Sequence, residues 1–284
     1  MKAFRDALSH PMLRVGLGLT GLGLCALAVT RVALQERTAP ERCPAGMVAL
    51  AERCCGTGQR VVSGRCEGVA TRCAATQAPN QSGQCVARHG VISLPGGVLD
   101  LGAADWEGVS GERFPRTEVG PFRLDMTEVT YERLGVSNPE PGLPAVEITA
   151  TAAEAFCRSQ GGRLPTSAEW VWAAAGATSR RYAWGNSGLV CRRAAFGLVK
   201  GPCSGSAQPE LAGSRPDGAS PEGILDLAGN VAEWTREPGE GGFSARGGSY
   251  RSRSAAELKS WATTQCCSGS ATGRDIGFRC AYDP

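Results

Sequence analysis

Cysteine is the residue that most constrains this chain. Twelve of its 13 cysteines fall into two groups of six, at residues 43–85 and 157–280, separated by a cysteine-free stretch. A zinc site would need C-x2-C or Cys/His spacing, but the chain has no C-x2-C and only two histidines. Both groups are therefore predicted to form disulfide bonds in an oxidising compartment.

The first 34 residues supply the export that disulfides require. Residues 15–30 are uncharged and apolar, and Arg14 and Arg31 flank them. This segment is slightly short of the ~20 residues that span a bilayer, but flanking arginines can snorkel and let it anchor the chain. The alternative is a signal peptide cleaved after Ala26-Leu27-Ala28. In both cases the rest is exported, either membrane-anchored or free in the periplasm or outside the cell.

Changes in composition divide the rest of the chain into three parts. Residues 35–42 form a charged, proline-containing linker, residues 43–90 a cysteine-rich module and residues 91–284 a larger domain. The module is too short to have a core of its own, so it needs cross-links to hold its shape. Its six cysteines allow many pairings, and the connectivity stays open. We interpret the module as a rigid spacer; the alternative is a small adhesion module.

The larger domain is predicted to be rich in loops, because the chain has 39 glycines and 17 prolines. Two helices are predicted from the capping-box patterns Thr151-Ala-Ala-Glu154 and Thr166-Ser-Ala-Glu169. They should end at Gly161-Gly162 and at Gly176. The pattern of "PFRLDMTEVTY" is typical of a strand. The tryptophans of this domain are expected to lie mostly in its core.

A set of short motifs follows one another in this domain in a specific order. They are "ISLPGGVLDLG", "FRLDMTEVT", "AFCRSQGGRLPTSAEWVWAAAG", "YAWGN", "ILDLAGNVAEWT", "ARGGSY" and "DIGFRCA". In this order they strongly resemble the formylglycine-generating enzyme family, also called the sulfatase-modifying factor domain, over about residues 91–283. The resemblance implies an α+β, C-type-lectin-like fold with little regular secondary structure.

Catalytic members of this family oxidise a sulfatase cysteine to formylglycine with a copper(I) ion held by two cysteines. Ser252 and Glu257 stand at the positions that match those cysteines. Copper(I) is a soft ion that prefers thiolates, so copper is not expected here. Cys266 and Cys267 are the alternative thiols, but adjacent cysteines in an exported chain are expected to be in disulfides.

The motif "DLAGNVAEW" resembles a calcium site of the family. The resemblance implies ligation by the side chains of Asp226 and Glu233 and by the carbonyls of Gly229 and Val231. Carboxylates and carbonyls suit calcium, and we expect this ion as the cofactor. The alternative is that both carboxylates accept hydrogen bonds from turn N–H groups and bind no metal.

The resemblance also implies a disulfide between Cys157 and Cys280. Another bridge of the family is missing, since alanines stand at both of its positions, Ala174 and Ala262. We therefore expect four further cysteines to act as replacement cross-links. These are Cys191, Cys203, Cys266 and Cys267.

The stretch "RGGSYRSR" is a candidate ligand loop, formed by Arg246, Tyr250, Arg251, Ser252 and Arg253. Its arginines could bind an anionic ligand such as a carboxylate or a sulfated sugar. The alternative is that they hydrogen-bond to loop carbonyls and stack on nearby tryptophans.

These observations favour an exported, non-catalytic domain that acts in binding or structure at the cell envelope. Its partner would be an envelope protein or a glycan, and the membrane would be reached through the N-terminal segment if that segment is not cleaved. The net charge of +3 without a basic tract argues against nucleic acid. The alternative is a cysteine oxidase of the formylglycine-generating type with a relocated metal site.

Overall fold

The computed structural model describes eleven stretches of the chain. They are residues 43, 45–50, 53–62, 65–73, 77–79, 83–87, 90–101, 115–188, 192–197, 208–239 and 242–284. The apolar segment at residues 15–30, the linker, Cys191 and Cys203 lie outside the described residues. Residues 40–284 form one compact unit. In the described stretches no helix is both long enough and apolar enough to cross a membrane.

In its described residues, the cysteine-rich module forms β-hairpins that are cross-linked by disulfides. Strand β1 (Met47–Leu50) pairs with β2 (Arg53–Gly56), β3 (Arg60–Val62) with β4 (Arg65–Glu67), and β5 (Gln77–Pro79) with β6 (Cys85–Ala87). The disulfides are Cys43–Cys54, Cys55–Cys66 and Cys73–Cys85, with sequence separations of 11, 11 and 12 residues. Each cysteine therefore pairs with the next one along the chain, which resolves the connectivity that the sequence left open.

The module packs against the larger domain. The Gln77 side chain is only 2% exposed, and its Nε2 donates a hydrogen bond to the carbonyl of Gly213. The Cys54 sulfur lies 3.8 Å from the Asp217 carboxylate. These contacts join the module to the segment of the larger domain around Gly213 and Asp217.

The larger domain contains two small antiparallel sheets, one of three strands and one of two. Strand β10 (Phe122–Asp125) lies between β7 (Val91–Leu94) and β15 (Ala281–Tyr282), so the C-terminal residues pair beside the beginning of the domain. Strand β8 (Gly97–Leu99) pairs with β9 (Thr117–Val119). Buried and exposed side chains alternate along only part of strand β10, because the consecutive residues Leu124 and Asp125 are both buried.

A four-stranded sheet of the larger domain has the strand order β13-β12-β11-β14. Strands β11 (Ala232–Arg236), β12 (Phe243–Arg246) and β13 (Thr263–Cys267) are antiparallel, and β14 (Ile276–Gly277) runs parallel to β11. Strand β11 is almost completely buried. It therefore carries its side chains into the interior of the domain, where the candidate calcium ligand Glu233 lies.

Three α-helices accompany these sheets in the described residues: α1 (Tyr131–Leu134), α2 (Ala150–Ser159) and α3 (Ser167–Ala175). The predicted capping box at Thr166 and Glu169 is confirmed, and α3 ends before Gly176. The predicted start of α2 at Thr151 is wrong, because the N-cap is Thr149. Thr151 instead donates its hydroxyl to the Gly269 carbonyl, and Glu154 accepts the N–H of Leu164.

The core of the larger domain consists of two main clusters of buried side chains. Trp170 and Trp172 of α3 lie in the first cluster, and Trp234 of β11 lies in the second. The Cys157–Cys280 disulfide, with an S–S distance of 2.02 Å, lies within the second cluster. It connects α2 to the residue before β15, so it fixes a helix to the C-terminal end of the chain.

Candidate functional site

A buried ion pair lies at the centre of the candidate site. Arg279 donates from Nε to Glu233 Oε2 and from Nη2 to Glu233 Oε1, both at 2.6 Å, and both side chains are 0% exposed. Trp170 Nε1 donates to Glu233 Oε2 at 2.7 Å. Burial alone would lower the pKa of Arg279, but the Glu233 carboxylate offsets this effect and the pKa is raised. Both oxygens of Glu233 are therefore occupied by donors from the protein.

Asp226 lies at the start of the turn that leads to β11. Asp226, Gly229 and Asn230 have positive φ angles of 58°, 86° and 58°, which place the backbone in the left-handed region and bend it sharply. The Oδ2 atom of Asp226 accepts the N–H of Gly213. Burial raises the pKa of Asp226 to about 6, although the Gly213 N–H and Arg279 act in the opposite direction.

Glu128 is a buried carboxylate beside Asp226 that was not predicted from the sequence. It is 1% exposed, and its Oε1 accepts a hydrogen bond from Asn230 Nδ2 at 3.0 Å. Its Oε2 has no hydrogen-bond partner in the part of the chain that the structure describes. Burial, followed by the negative charges of Asp226 and Glu233, raises the pKa of Glu128 well above its ordinary value. Only its place within the motif "FRLDMTEVT" set it apart in the sequence.

The four expected calcium ligands lie in and beside one turn. The two carboxylates among them, Asp226 and Glu233, differ in how strongly other protein groups already hold them. Glu233 is held by Arg279, whereas Asp226 faces Glu128, whose second oxygen has no hydrogen donor. Among the described residues, no group of at least three His, Cys, Asp or Glu side chains is arranged to hold a metal. A cation here would therefore depend on Asp226 and on backbone carbonyls, and it would offset the excess of buried carboxylates around Arg279.

The loop after β12 contains Ser252 and Glu257, the two residues at the positions that the resemblance assigns to the copper ligands of the family. Ser252 is 3% exposed, and its Oγ accepts the N–H of Ser249 at 3.0 Å. Glu257 lies in a 3-10 helix (Ala255–Leu258), where its Oε1 accepts the N–H of Ser254 at 3.0 Å. Hydroxyl and carboxylate oxygens engaged in turns do not fit copper(I), which prefers thiolates.

The paired glycines of this loop are required by close packing. Gly248 has a φ of +64°, and a Cβ atom there would lie 2.6 Å from the Glu257 carbonyl and 2.8 Å from Ser252 Oγ. A Cβ on Gly247 would lie 2.9 Å from the ring of Trp170. Because only glycine fits at these positions, the Gly-Gly motif shapes the loop and is not itself a sign of catalysis.

The candidate ligand loop contains both buried and exposed side chains. Arg246 is 5% exposed and donates from Nε to Ser167 Oγ at 3.0 Å. Burial lowers its pKa, with Glu237 acting in the opposite direction. Tyr250 and Ser252 are also buried. Only Arg251 and Arg253 are exposed, so these two residues are the members of the loop that a ligand could reach.

The remaining cysteines of the second group fall at different places. Cys266 and Cys267 are in β13, where their backbones pair with Ser244 and Phe243 of β12. Cys191 and Cys203 lie outside the described residues. The prediction that these four cysteines form replacement cross-links stays a prediction.

The fold and the loop after β12 define a domain like that of the formylglycine-generating enzymes. Residues 135–284 match the family described as "Sulfatase-modifying factor enzyme 1-like domain". This match covers half of the chain, and the chain belongs to this family.

Among curated proteins, the chain is similar to the mouse protein named "Inactive C-alpha-formylglycine-generating enzyme 2". The two are 33% identical over 150 residues, which are 49% of this chain and 49% of that protein. It is also 38% identical over 99 residues to the "Formylglycine-generating enzyme" of Mycobacterium tuberculosis, covering 33% of each chain. The chain thus spans about half the length, or less, of the curated relatives that it matches.

Solved structures show the same fold. The "Treponema denticola variable protein 1" aligns with a TM-score of 0.58 at 20% identity, covering 69% of this chain and 95% of that one. PvdO from Pseudomonas aeruginosa aligns with a TM-score of 0.55 at 20% identity, covering 70% and 95%. The predicted fold class is confirmed, while identities this low establish the fold alone.

Proposed function

We propose that this chain is an exported, non-catalytic member of the family that binds a partner at the cell envelope. The observation that carries the proposal is the chemistry of the loop after β12. Ser252 and Glu257 stand where the catalytic members have cysteines, and both side chains are engaged in turns of the loop. Such a loop has the shape of the catalytic frame without soft ligands for copper(I).

Two further observations support this proposal. The similarity to a mouse protein named as inactive is consistent with a domain that has lost its chemistry and kept its fold. The disulfides of the module and of the larger domain are typical of an oxidising compartment. Export through the N-terminal segment would provide that compartment.

The proposed ligand surface is the exposed part of the loop after β12. Arg251 and Arg253 are two solvent-exposed residues on one short segment, and their backbone N–H groups donate to Ser249 Oγ and to Glu257 Oε1. Guanidinium groups bind carboxylates and sulfates through paired N–H donors. The proposed partner is therefore an acidic envelope protein or a sulfated or carboxylated glycan. We also propose that calcium binds at Asp226 and stabilises the turn beneath this surface.

An activity assay tests the non-catalytic part of the proposal. The purified chain is given copper(I), oxygen, a thiol reductant and a peptide with the sulfatase Cys-x-Pro-x-Arg sequence. Mass spectrometry then follows replacement of the thiol by an aldehyde, with the enzyme of Mycobacterium tuberculosis as the positive control. We expect no turnover above the control without protein. Turnover would overturn the proposal, and Cys266 and Cys267 would be the first residues to change.

A matched variant shows whether copper(I) binding is prevented by the residue types at positions 252 and 257 or by the geometry of the loop. The double substitution Ser252→Cys and Glu257→Cys restores the two soft ligands at the positions of the family's cysteines. We expect this variant to bind copper(I) more tightly than the wild type, measured by competition with a copper(I) chelator. Equal affinity of the two proteins would show that the loop geometry differs from the catalytic frame.

Binding to an immobilised panel of sulfated and neutral glycans tests the ligand surface. We expect retention on sulfated glycans that is lost in Arg251→Ala/Arg253→Ala. Arg158→Ala is the control, because Arg158 is an exposed arginine on α2, away from this loop in sequence. Equal retention of all three proteins would contradict a role of the loop in binding.

A further inference from the structure

A cleft lies between the cysteine-rich module and the larger domain. Its interior has a volume of about 70 Å³, which is room for several water-sized groups, since one water needs about 10–15 Å³ by this measure. Met47 and the disulfide-bonded Cys54 and Cys85 line it on the module side, and Pro209 and Leu211 line it on the domain side. These groups are soft and apolar, so they suit the hydrocarbon body of a ligand.

Most polar groups of the cleft already have partners within the protein. Gln59 accepts the N–H of Gly56 at 2.9 Å and donates to the Gly68 carbonyl at 3.1 Å. The carboxylate of Glu210 accepts two hydrogen bonds from Arg215, at 2.7 and 2.8 Å. The charge of Glu210 is therefore balanced on the protein side, and Glu210 adds little net charge to the cleft.

Glu140 is the exception among the charged groups of the cleft. Its side chain is exposed, and it belongs to the lining. In the described ranges of the chain, no lysine, arginine or histidine lies within ion-pair distance of its carboxylate. The lining itself contains no basic residue. The cleft thus combines an apolar wall with one carboxylate that is not balanced by a neighbouring cation.

We propose that this cleft binds a cationic amphiphile, that is, an amine with an apolar body. The body would lie against Met47, Leu211 and the disulfide sulfurs, and the ammonium group would pair with Glu140 at the rim. A carboxylate ligand would be repelled by Glu140, and a neutral ligand of the same shape would lose the ion pair. This site is separate from the proposed anion-binding loop, and it selects the opposite charge.

Matched small molecules test the proposal with the full chain. The probes are 3-phenylpropylamine, the neutral 3-phenylpropanol and the anionic 3-phenylpropionate, and binding is measured by isothermal titration calorimetry at low salt. We expect the amine to bind best and the alcohol to bind roughly fivefold more weakly, as an exposed ion pair contributes up to ~1 kcal/mol. The anion should not bind. If the three probes bind equally, or if the amine does not bind, the proposal is wrong.

Variants of the lining locate the binding. Glu140→Gln should reduce the affinity for the amine to that for the alcohol, without an effect on the alcohol. Leu211→Trp should fill the cleft and abolish binding of both, and the circular dichroism spectrum checks that the variant folds. Glu132→Gln is the control, because Glu132 is an exposed carboxylate in α1 that does not line the cleft. Amine binding that survives both Glu140→Gln and Leu211→Trp would place the amine elsewhere and overturn the proposal.

Discussion

Arg279 and Glu233 form an ion pair that is completely enclosed by the domain, with two N–O distances of 2.6 Å and no exposure of either side chain. The pair joins the segment before β15 to β11, and Arg279 also donates to the carbonyls of Asp125 and Leu225. One guanidinium group thus connects three separate parts of the chain. Removing either charge would leave the other one buried without its partner.

We expect Glu233→Gln to lower the free energy of unfolding by about 3–5 kcal/mol, because Arg279 would stay buried without the carboxylate that holds it through two hydrogen bonds. Urea denaturation measures this loss. Arg158→Gln is the control, since Arg158 is exposed and pairs with Glu154 at the surface, and such pairs contribute ~1 kcal/mol or less. Similar losses in both variants would show that the buried ion pair contributes no more to the free energy of unfolding than a surface pair.

The second prediction concerns pH. The pKa of Asp226 is raised from 3.8 to about 6 by burial, so the folded state holds this proton more tightly than the unfolded state. The corresponding stability is fully present below about pH 4 and is lost as the pH rises through about 6.

In the presence of a chelator, we therefore expect Asp226→Asn to be less sensitive to pH than the wild type. The difference between the two proteins in unfolding free energy should change by on the order of 2 kcal/mol between pH 4 and pH 7. Parallel pH profiles of the two proteins would show that Asp226 has an ordinary pKa in the fold.

The third prediction concerns calcium. We expect one site of modest affinity, with a Kd on the order of 10⁻⁴ to 10⁻³ M, as in extracellular modules. Calcium should raise the Tm at pH 7, and less so at pH 5, where protons compete for Asp226.

Asp226→Ala should abolish this shift, whereas Glu132→Gln, which changes an exposed carboxylate of α1, should retain it. Differential scanning calorimetry with calcium and with chelator makes the comparison. Identical melting curves of the wild type in the two solutions would show that calcium does not bind here.

The fourth prediction concerns the disulfides. Cys157 and Cys280 are 123 residues apart, whereas the pairs of the module are 11 or 12 residues apart. In the chain-entropy treatment a longer loop gives a larger effect, so we expect a loss of roughly 5 kcal/mol for Cys157→Ala/Cys280→Ala. The loss for Cys43→Ala/Cys54→Ala should be roughly 3 kcal/mol.

Denaturation curves measure both losses, and peptide mapping without reduction checks the pairing itself. A peptide that joins Cys280 to any cysteine of residues 43–85 would contradict the pairing. It would also contradict the division of the exported part into a module and a larger domain.

The features predicted best from the sequence are those that depend only on residues close to one another in the chain. The capping box at Thr166 and Glu169 and the end of α3 at Gly176 are local features, and both are confirmed. The predicted start of α2 at Thr151 is wrong because Thr151 lies inside the helix, and the side chain of Thr149 caps it by accepting the N–H of Ala152. With Thr149 as the cap, Ala150, Ala153 and Cys157 all point into the core.

The candidate site was harder to predict because it is assembled from distant parts of the chain. Glu128 is separated by 102 residues from Asn230, with which it shares a hydrogen bond. The pairing of Arg279 with Glu233 likewise spans 46 residues. No short motif marks residues that far apart as partners. The sequence therefore identified the turn at Asp226 but not the charged residues that surround it.

Gly213 has a consequence for how the two parts of the chain depend on each other. Its N–H is held by Asp226 and its carbonyl by Gln77 of the module. A single residue, Gly213, therefore connects the hairpins to the buried carboxylates through the two peptide units that flank its Cα. Thermodynamic linkage is reciprocal. If a cation at Asp226 stabilises the docked position of the hairpins, then docking of the hairpins must increase the affinity for the cation by the same free energy. If calcium binds at Asp226 as proposed, the docked module would thereby set the calcium affinity of the domain.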